Sequence, residues 1–483
     1  MRPILVVALC ALVMAGCSSS NVVPHTTLPL QNNPGSGSSS AARGPVSAVR
    51  GPAAATLTNR RSSTALTAVP WPLTAVPWPL TAVPWPLTAV PWSGAPAAAS
   101  APACNGNGHS AHCKADVNEN DPIQQDPNTP SSSIAGVQPG LLQFLYNLPT
   151  HGGANQTVAM VVAYDDPAAE ADLAVYRQSF GLPPCTTANG CFSKIAGDGS
   201  GTLPSPNYSW ATEASLDLDA VSATCPQCKV MLVEAASDQI PDLARSVDTA
   251  VGNGATEVSN SYGVPEASDN VAYDSHYNHP GVAITAAAGD IGYGVQFPAS
   301  SEYVTAVGGT SVQQIGDNSV QEVGWALGGS GCSQYITKPS YQTDNLCKMR
   351  TVNDIAVIGD PADGLAVYDS TLNGQGNGGW AVIGGTSMGA PIVAAMYALA
   401  ATGTSGNAAS LYNTYHGHNQ PLLDVTAGSN GTCPLPGLCN ALPGYDAPTG
   451  VGVPWGVAAF APVGGSGHGH GDGSAGAGGG QND

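Results

Sequence analysis

Residues 157–163 (TVAMVVA) form an unbroken apolar run. A strand with water on one face alternates apolar and polar side chains, so a run like this belongs to a strand covered on both faces. Shorter strand patterns recur at residues 229–234, 255–259 and 282–288, and helical spacing of apolar side chains occurs at residues 167–180, 213–223, 241–251 and 268–278. The alternation confines the chain to an α/β fold with a parallel sheet flanked by helices. Ligands of such sheets gather beyond the C-terminal ends of the strands, so functional residues are sought just after the apolar runs.

One such place is Gly384-Gly385-Thr386-Ser387-Met388-Gly389-Ala390-Pro391, which follows the apolar Trp380-Ala381-Val382-Ile383 and precedes a long apolar helix pattern. Glycines before a serine let the backbone turn sharply off a strand. The hydroxyl then emerges at a helix start, where backbone N–H groups and the positive dipole end can face a developing anion. Ser387 is the candidate nucleophile. The same turn is also compatible with Ser387 as an ordinary N-cap.

A nucleophilic serine needs a base. His25, His109 and His112 lie in a low-complexity stretch and His468 and His470 in a glycine-rich tail, while His276 and His279 fall in a loop-like segment. Glu213-Ala214-Ser215-Leu216-Asp217 offers an alternative, because carboxylates four apart share one helix face. Two carboxyls sharing a proton can keep one poised as a base in acid, whereas two solvated acids on an amphipathic helix would do no chemistry. A third acid, Asp290, stands in Ala288-Gly289-Asp290-Ile291-Gly292, directly after the run 282–288. It is a site acid or an Asx-turn residue.

Taken together, Glu213-x-x-x-Asp217, Gly289-Asp290-x-Gly292 with the downstream Phe297-Pro298-Ala299-Ser300 and Val307-Gly308-Gly309-Thr310, and Gly385-Thr386-Ser387 resemble the sedolisin family of serine-carboxyl peptidases. The resemblance spans about residues 137–463. It implies a subtilisin-like fold, endopeptidase activity on polypeptides and a preference for acid. Transferred residue by residue, it makes Ser387 the nucleophile, Glu213 the general base, Asp217 the group that orients Glu213, and Asp290 the oxyanion-hole acid. Residues 258–263 (VSNSYG) resemble the strand that lines the substrate cleft. The resemblance also implies one calcium ion held by Asp424, Asp446 and the carbonyls of Val425, Leu442 and Gly444, although the family often has glycine where Leu442 stands. Family members usually carry a folded propeptide, whereas low-complexity sequence precedes residue 137 here, and Met388-Gly389 replaces the small polar residues that often follow the serine.

The N-terminal residues read as a secretory signal with Arg2 and a short apolar core, ending in Met14-Ala15-Gly16-Cys17. That ending resembles a bacterial lipobox, with Cys17 as the lipid-bearing residue of a membrane anchor. Residues 18–136 read as a disordered tether rich in Ser, Pro, Ala and Gly, containing Thr-Ala-Val-Pro-Trp-Pro-Leu repeats from Thr67, Thr74 and Thr81 and a partial copy from Thr88. Residues 464–483 read as a disordered Gly/His tail. Apart from Cys10 and Cys17, the cysteines pair by proximity as Cys104 with Cys113, Cys185 with Cys191, Cys225 with Cys228, Cys332 with Cys347 and Cys433 with Cys439, which suits an oxidising compartment. A net charge of -20 with 13 Lys and Arg leaves no basic stripe for nucleic acid. A monomer is expected. Two rival readings stay open: a histidine triad of Asp165, His276 or His279, and Ser387, or a silent envelope scaffold that uses the Trp repeats and the sheet surface.

Overall fold

A computed structural model describes residues 100–104, 110–314, 320–372, 378–400, 407–416 and 421–461. The signal sequence, Cys17, the repeats and the Gly/His tail lie outside them. The first elements are three short strands, β1 (Ser100–Pro102), β2 (His112–Cys113) and β3 (Asp116–Asn118), and helix α1 (Pro139–Leu145). Then come β4 (Thr157–Ala163), α2 (Ala169–Ser179), β5 (Phe192–Ala196), α3 (Tyr208–Thr224), β6 (Lys229–Ala235) and α4 (Ile240–Gly252). They are followed by β7 (Glu257–Asn260), β8 (Tyr262–Pro265), β9 (Ala283–Ala287), β10 (Gln296–Phe297), β11 (Thr305–Gln314) and β12 (Val320–Gly324). The remainder used below are β13 (Gly331–Thr337), β14 (Met349–Val352), β15 (Ile355–Ile358), β16 (Leu365–Asp369), β17 (Gly379–Gly384) and α5 (Thr386–Ala400).

The central sheet runs β12-β11-β9-β7-β4-β6-β5, with β15 also pairing β11. Every pairing from β11 to β5 is parallel, and β12 closes one edge antiparallel. The unbroken apolar run becomes β4, in the interior of the sheet between β6 and β7 and buried in all but its first residue. After β6 the chain crosses to the far side of β4 to form β7, and such a reversal opens a crevice at the strand C-termini. Strands 229–234, 255–259 and 282–288 appear within two residues of their expected bounds.

Two helices are central to this fold. Helix α3 is capped by Asn207, whose side chain accepts from the N–H groups of Ser209 and Trp210, and it is buried from Trp210 onward. Helix α5, rich in Ala and other small side chains, is buried from Thr386 through Ala398 and packs on α3, β7 and β9. Helices covered on all sides have no solvated face to advertise. Glu213 and Asp217 are therefore fully buried, which overturns the reading of them as solvated surface acids.

Three expectations are corrected. The pattern at 268–278 yields only a 3₁₀ segment at Val271–Tyr277, because Asn270 bonds backward to Ala267 N–H and Pro265 C=O and competes with a helix start. Residues 258–263 do not form one strand. The chain leaves the central sheet at Ser261, and β8 pairs instead with β2 and β10. Finally, folded structure begins well before residue 137: β1 pairs with β3, β3 with β17, β2 with β8, and Val137 bridges Leu365. These strands have only two or three residues, too few to show a period. All five expected disulfides are formed.

Candidate active site

Ser387 sits in the first turn of α5, directly after the turn made by Gly384 and Gly385. Gly385 has φ +96°, which disfavours any side chain, and a Cβ there would lie 1.9 Å from the carbonyl oxygen of Lys114 and 2.9 Å from Asp290 Oδ2. The backbone can thus turn only with glycine. Pro391, four residues on, lacks the N–H that would normally bond the Ser387 carbonyl. Ser261 Oγ stands 3.3 Å from that carbonyl instead.

The Ser387 hydroxyl lies 2.9 Å from Glu213 Oε2, to which it donates, and 3.1 Å from the Ser261 carbonyl. Behind Glu213, one helical turn along α3, Asp217 Oδ1 accepts from Ser261 Oγ at 2.6 Å. The Glu213 and Asp217 carboxyls are within hydrogen-bonding reach of each other. Glu213 Oε1 and Asp217 Oδ2 are buried and otherwise unpartnered, so a proton shared between the two acids satisfies both. Burial holds both well above the usual carboxylate range, and Asp217 pushes Glu213 further.

Asp290 follows β9 in a turn where Gly289 has φ +112° and Gly292 φ +77°. Its Oδ1 accepts from the Thr386 N–H at 2.8 Å and from Thr386 Oγ1 at 2.7 Å, and Thr386 Oγ1 in turn accepts from the Gly289 N–H at 3.0 Å. This is more than a local Asx-turn, because it joins the turn after β9 to the start of α5. Asp290 Oδ2 is buried without a partner. Burial, with Asp116 adding repulsion, pushes the Asp290 carboxyl up to about 7 against the relief given by Lys114 and Thr386. A Cβ at Gly385, two residues before Ser387, would lie 2.9 Å from this free oxygen, which becomes a hydrogen-bond donor when protonated.

The histidine reading fails on geometry. His276 Nδ1 and His279 Nε2 bind Asp248 at 2.6 and 2.9 Å, and Asp165 pairs with Lys194 at 2.6 Å. The serine's ionisable partner is Glu213. Sequence reasoning missed Thr386, although it stands inside the Gly-Thr-Ser motif, and Lys114, which lay in the presumed tether. Lys114 donates its N–H to the Ser261 carbonyl at 3.2 Å and its carbonyl accepts from the Ser387 N–H at 3.2 Å.

A sequence model described as the Subtilase family matches residues 195–412. Kumamolisin of Bacillus sp. (strain MN-32) is 29% identical over 347 residues, covering 63% of this chain and 59% of that protein. Tripeptidyl-peptidase 1 of Dictyostelium discoideum is 27% identical over 351 residues, covering 63% and 54%. This chain is similar to the sedolisin family of peptidases. A solved structure of Pseudomonas sedolisin, a serine-carboxyl proteinase complexed with two molecules of pseudo-iodotyrostatin, shares the fold at a TM-score of 0.58 and 24% identity, covering 67% of this chain and 96% of that one. The chain thus spans somewhat over half the length of the two curated relatives.

For calcium, the residues to test are Asp424 and Asp446. Asp446 Oδ2 accepts from the Leu442 N–H at 2.8 Å, and Oδ1 accepts from the Thr449 N–H and hydroxyl, each at 2.9 Å. Asp424 Oδ2 accepts from the Gly444 N–H at 2.8 Å. Burial pushes Asp446 up to about 7 and Asp424 repels it, while the groups that ease its charge are N–H and O–H donors rather than a basic side chain. Two neighbouring carboxylates without a basic partner are the kind of oxygen donor a hard cation takes. Among the described residues no cluster of three or more His, Cys, Asp or Glu is placed to hold a metal.

Proposed function

We propose that this chain is a serine-carboxyl endopeptidase that hydrolyses peptide bonds of polypeptides in acid. The observation that carries the reading is the 2.9 Å hydrogen bond from Ser387 Oγ to a buried glutamate backed by a second acid. Ser387 Oγ attacks the scissile carbonyl carbon while its proton passes to Glu213. The tetrahedral oxyanion is held by the Ser387 N–H and by protonated Asp290, and Glu213 returns the proton to the leaving amine. Water then repeats the sequence on the acyl-enzyme. Asp217, sharing a proton with Glu213, keeps that base aimed at the serine.

The chemistry sets the pH range. Ser387 needs the Glu213/Asp217 pair to hold one proton rather than two, and the oxyanion needs Asp290 to keep its own. Activity therefore falls at low pH as the pair fills and falls again as pH rises through the Asp290 value of about 7. An extended substrate would lie against β8 by backbone pairing.

The same reading extends to the surroundings. Five disulfides accord with an exported protein carrying a cleaved signal and anchored through lipidated Cys17. Asp424, Asp446 and the carbonyls of Val425, Leu442 and Gly444 would hold one calcium ion, which ties this part of the chain together and takes no part in the reaction.

The test is a peptide-library digestion from pH 2 to 9 with wild type, Ser387→Ala, Glu213→Gln and His276→Ala. Turnover in acid that is lost in the first two variants and kept in the third is expected. A plateau at pH 7 to 9, kept in Glu213→Gln and lost in His276→Ala, refutes the proposal.

A further inference from the structure

Lys194, Asp165 and Glu234 meet at one end of the central sheet. Lys194 lies on β5, the edge strand, and Glu234 on the neighbouring β6, with Lys194 opposite Leu232 and Ala196 opposite Glu234. Residues two apart on a strand share a face, so the Lys194 and Glu234 side chains project the same way. Asp165 follows β4, the strand on the other side of β6. Its backbone is fixed, because its N–H donates to the Ser205 carbonyl at 3.2 Å and its carbonyl accepts from the Asn207 N–H at 3.2 Å. Lys194 Nζ stands 2.6 Å from Asp165 Oδ1, donates to the Asp166 carbonyl at 2.8 Å, and lies 3.6 Å from Glu234 Oε1. Glu234 is fully buried, and the Asp165 carboxyl is within its hydrogen-bonding reach. Glu234 Oε1 accepts from the Asp166 N–H at 2.8 Å, while Oε2 makes no hydrogen bond among the described residues. Burial pushes Glu234 up to about 8 against the relief given by the Asp166 N–H and Lys194, so it carries a proton at neutral pH.

An ion pair needs only an amine and a carboxylate. A buried neutral acid set against both has no part in it, yet it completes what an amide condensation requires: an amine against an immobile carboxyl, and a proton carrier beside the two. The Lys194 and Asp165 side chains are 19% and 12% exposed, so little bulk water competes with the amine. We infer that Lys194 and Asp165 are joined by an isopeptide bond, which the folded chain makes by itself with Glu234 as the proton carrier. A proton first passes from Nζ to the Asp165 carboxylate, which leaves a neutral amine facing a neutral acid. Nζ then bonds to Asp165 Cγ. Glu234 gives its proton to the departing hydroxyl, the C–O bond breaks with release of water, and Glu234 takes a proton back from the nitrogen. The products are one amide and one water, with Glu234 restored.

The bond closes residues 165–194 into a ring that holds α2 and the Cys185–Cys191 disulfide. It also pins the edge strand β5 to the turn after β4, two strands away, by a covalent path outside the sheet's own hydrogen bonds. An ion pair lapses in acid as carboxylates fill with protons, whereas an amide does not titrate. The inference makes no use of Ser387, so it stands or falls apart from the peptidase reading.

The experiment takes purified full-length chain, shown to be folded by circular dichroism, then reduces, alkylates and denatures it, digests it with trypsin and weighs the peptides. Arg177 lies between Asp165 and Lys194, so trypsin releases the two on different peptides unless a bond joins them. A branched peptide is expected, lighter than its two parts by one water and uncut after Lys194. Lys194→Arg keeps the positive charge but loses the amine nucleophile, and gives separate peptides. Glu234→Gln slows the condensation about a hundredfold or more, so freshly made protein still gives separate peptides. Ser387→Ala links as the wild type does. A folded wild type that yields separate peptides, cut after Lys194, overturns the inference and leaves an ordinary ion pair. Linkage in Glu234→Gln as fast as in wild type overturns the role of Glu234, and linkage lost in folded Ser387→Ala overturns a bond made by these three residues.

Discussion

Thr386→Val tests whether Asp290 acts as a protonated donor. Thr386 Oγ1 donates to Asp290 Oδ1 at 2.7 Å, and this bond favours the ionised carboxylate. A hydrogen bond to a charged group is worth about 1.5–3 kcal/mol, and one pKa unit is about 1.4 kcal/mol. The neighbouring Thr386 N–H remains at 2.8 Å and takes up part of the loss, so the net shift should be about one unit upward. The alkaline limb of kcat/KM, set by Asp290 at about 7 in the parent, then moves toward higher pH, because the donor form survives further. The Gly289 N–H loses its 3.0 Å acceptor at the same time, a cost of about 1–3 kcal/mol in stability. The assay is kcat/KM against pH with a peptide that has no group titrating between 5 and 9, alongside thermal melts. An alkaline limb that stays in place or moves down in Thr386→Val, in protein shown to be folded, would refute the reasoning. So would an unchanged limb in Asp290→Asn.

Burial pushes Glu234 up to about 8, and Asp166 and Glu322 up to about 7, all above their unfolded values; their contribution to stability is complete below about pH 4 and is lost as pH rises through 7 to 8. Scanning calorimetry should therefore give a lower Tm at pH 8 than at pH 5, and a Tm that rises over that interval contradicts the prediction. Chelation should lower Tm, and Asp446→Ala should abolish that sensitivity; identical melts with and without chelator, in protein shown to be metal-free, rule out the calcium reading. Arg350 grips Asp354 with two hydrogen bonds of 3.0 and 2.6 Å, both side chains fully buried, so Arg350→Met leaves a buried carboxylate with only the neutral donors Ala306 N–H, Gln342 and Tyr412, and should cost about 3–5 kcal/mol in denaturant unfolding at neutral pH.

Much of this arrangement was legible in the sequence because it is local. An unbroken apolar run marks a covered strand, Glu213 and Asp217 are four apart, and Asp290 and Ser387 each follow an apolar strand through a glycine turn. What stayed hidden depends on long-range pairing. Residues 110–118 carry no period, and their place against β8 and β17 is fixed by backbone bonds to residues far along the chain. The burial of the two acids was hidden too, because α3 intersperses them with small side chains such as Ala214, Ser215 and Ala220, which suit a crowded interior and a solvated face equally. The link from Thr386 to Asp290 spans ninety-six residues and has no signature beyond the motif in which the threonine sits.

The packing of α3 directly on α5 has a consequence for how such a chain can change over generations. Glu213 and Ser387 ride on separate buried helices, so their separation is fixed by the side chains wedged between the two rods rather than by a loop that could drift. Surface segments can lengthen or shorten without moving either group. A single added methyl in the seam, harmless by hydropathy, would spread the helices and lengthen the serine-to-glutamate hydrogen bond while leaving the chain folded. Loss of turnover without loss of fold should therefore map to alanines and glycines that never touch a substrate.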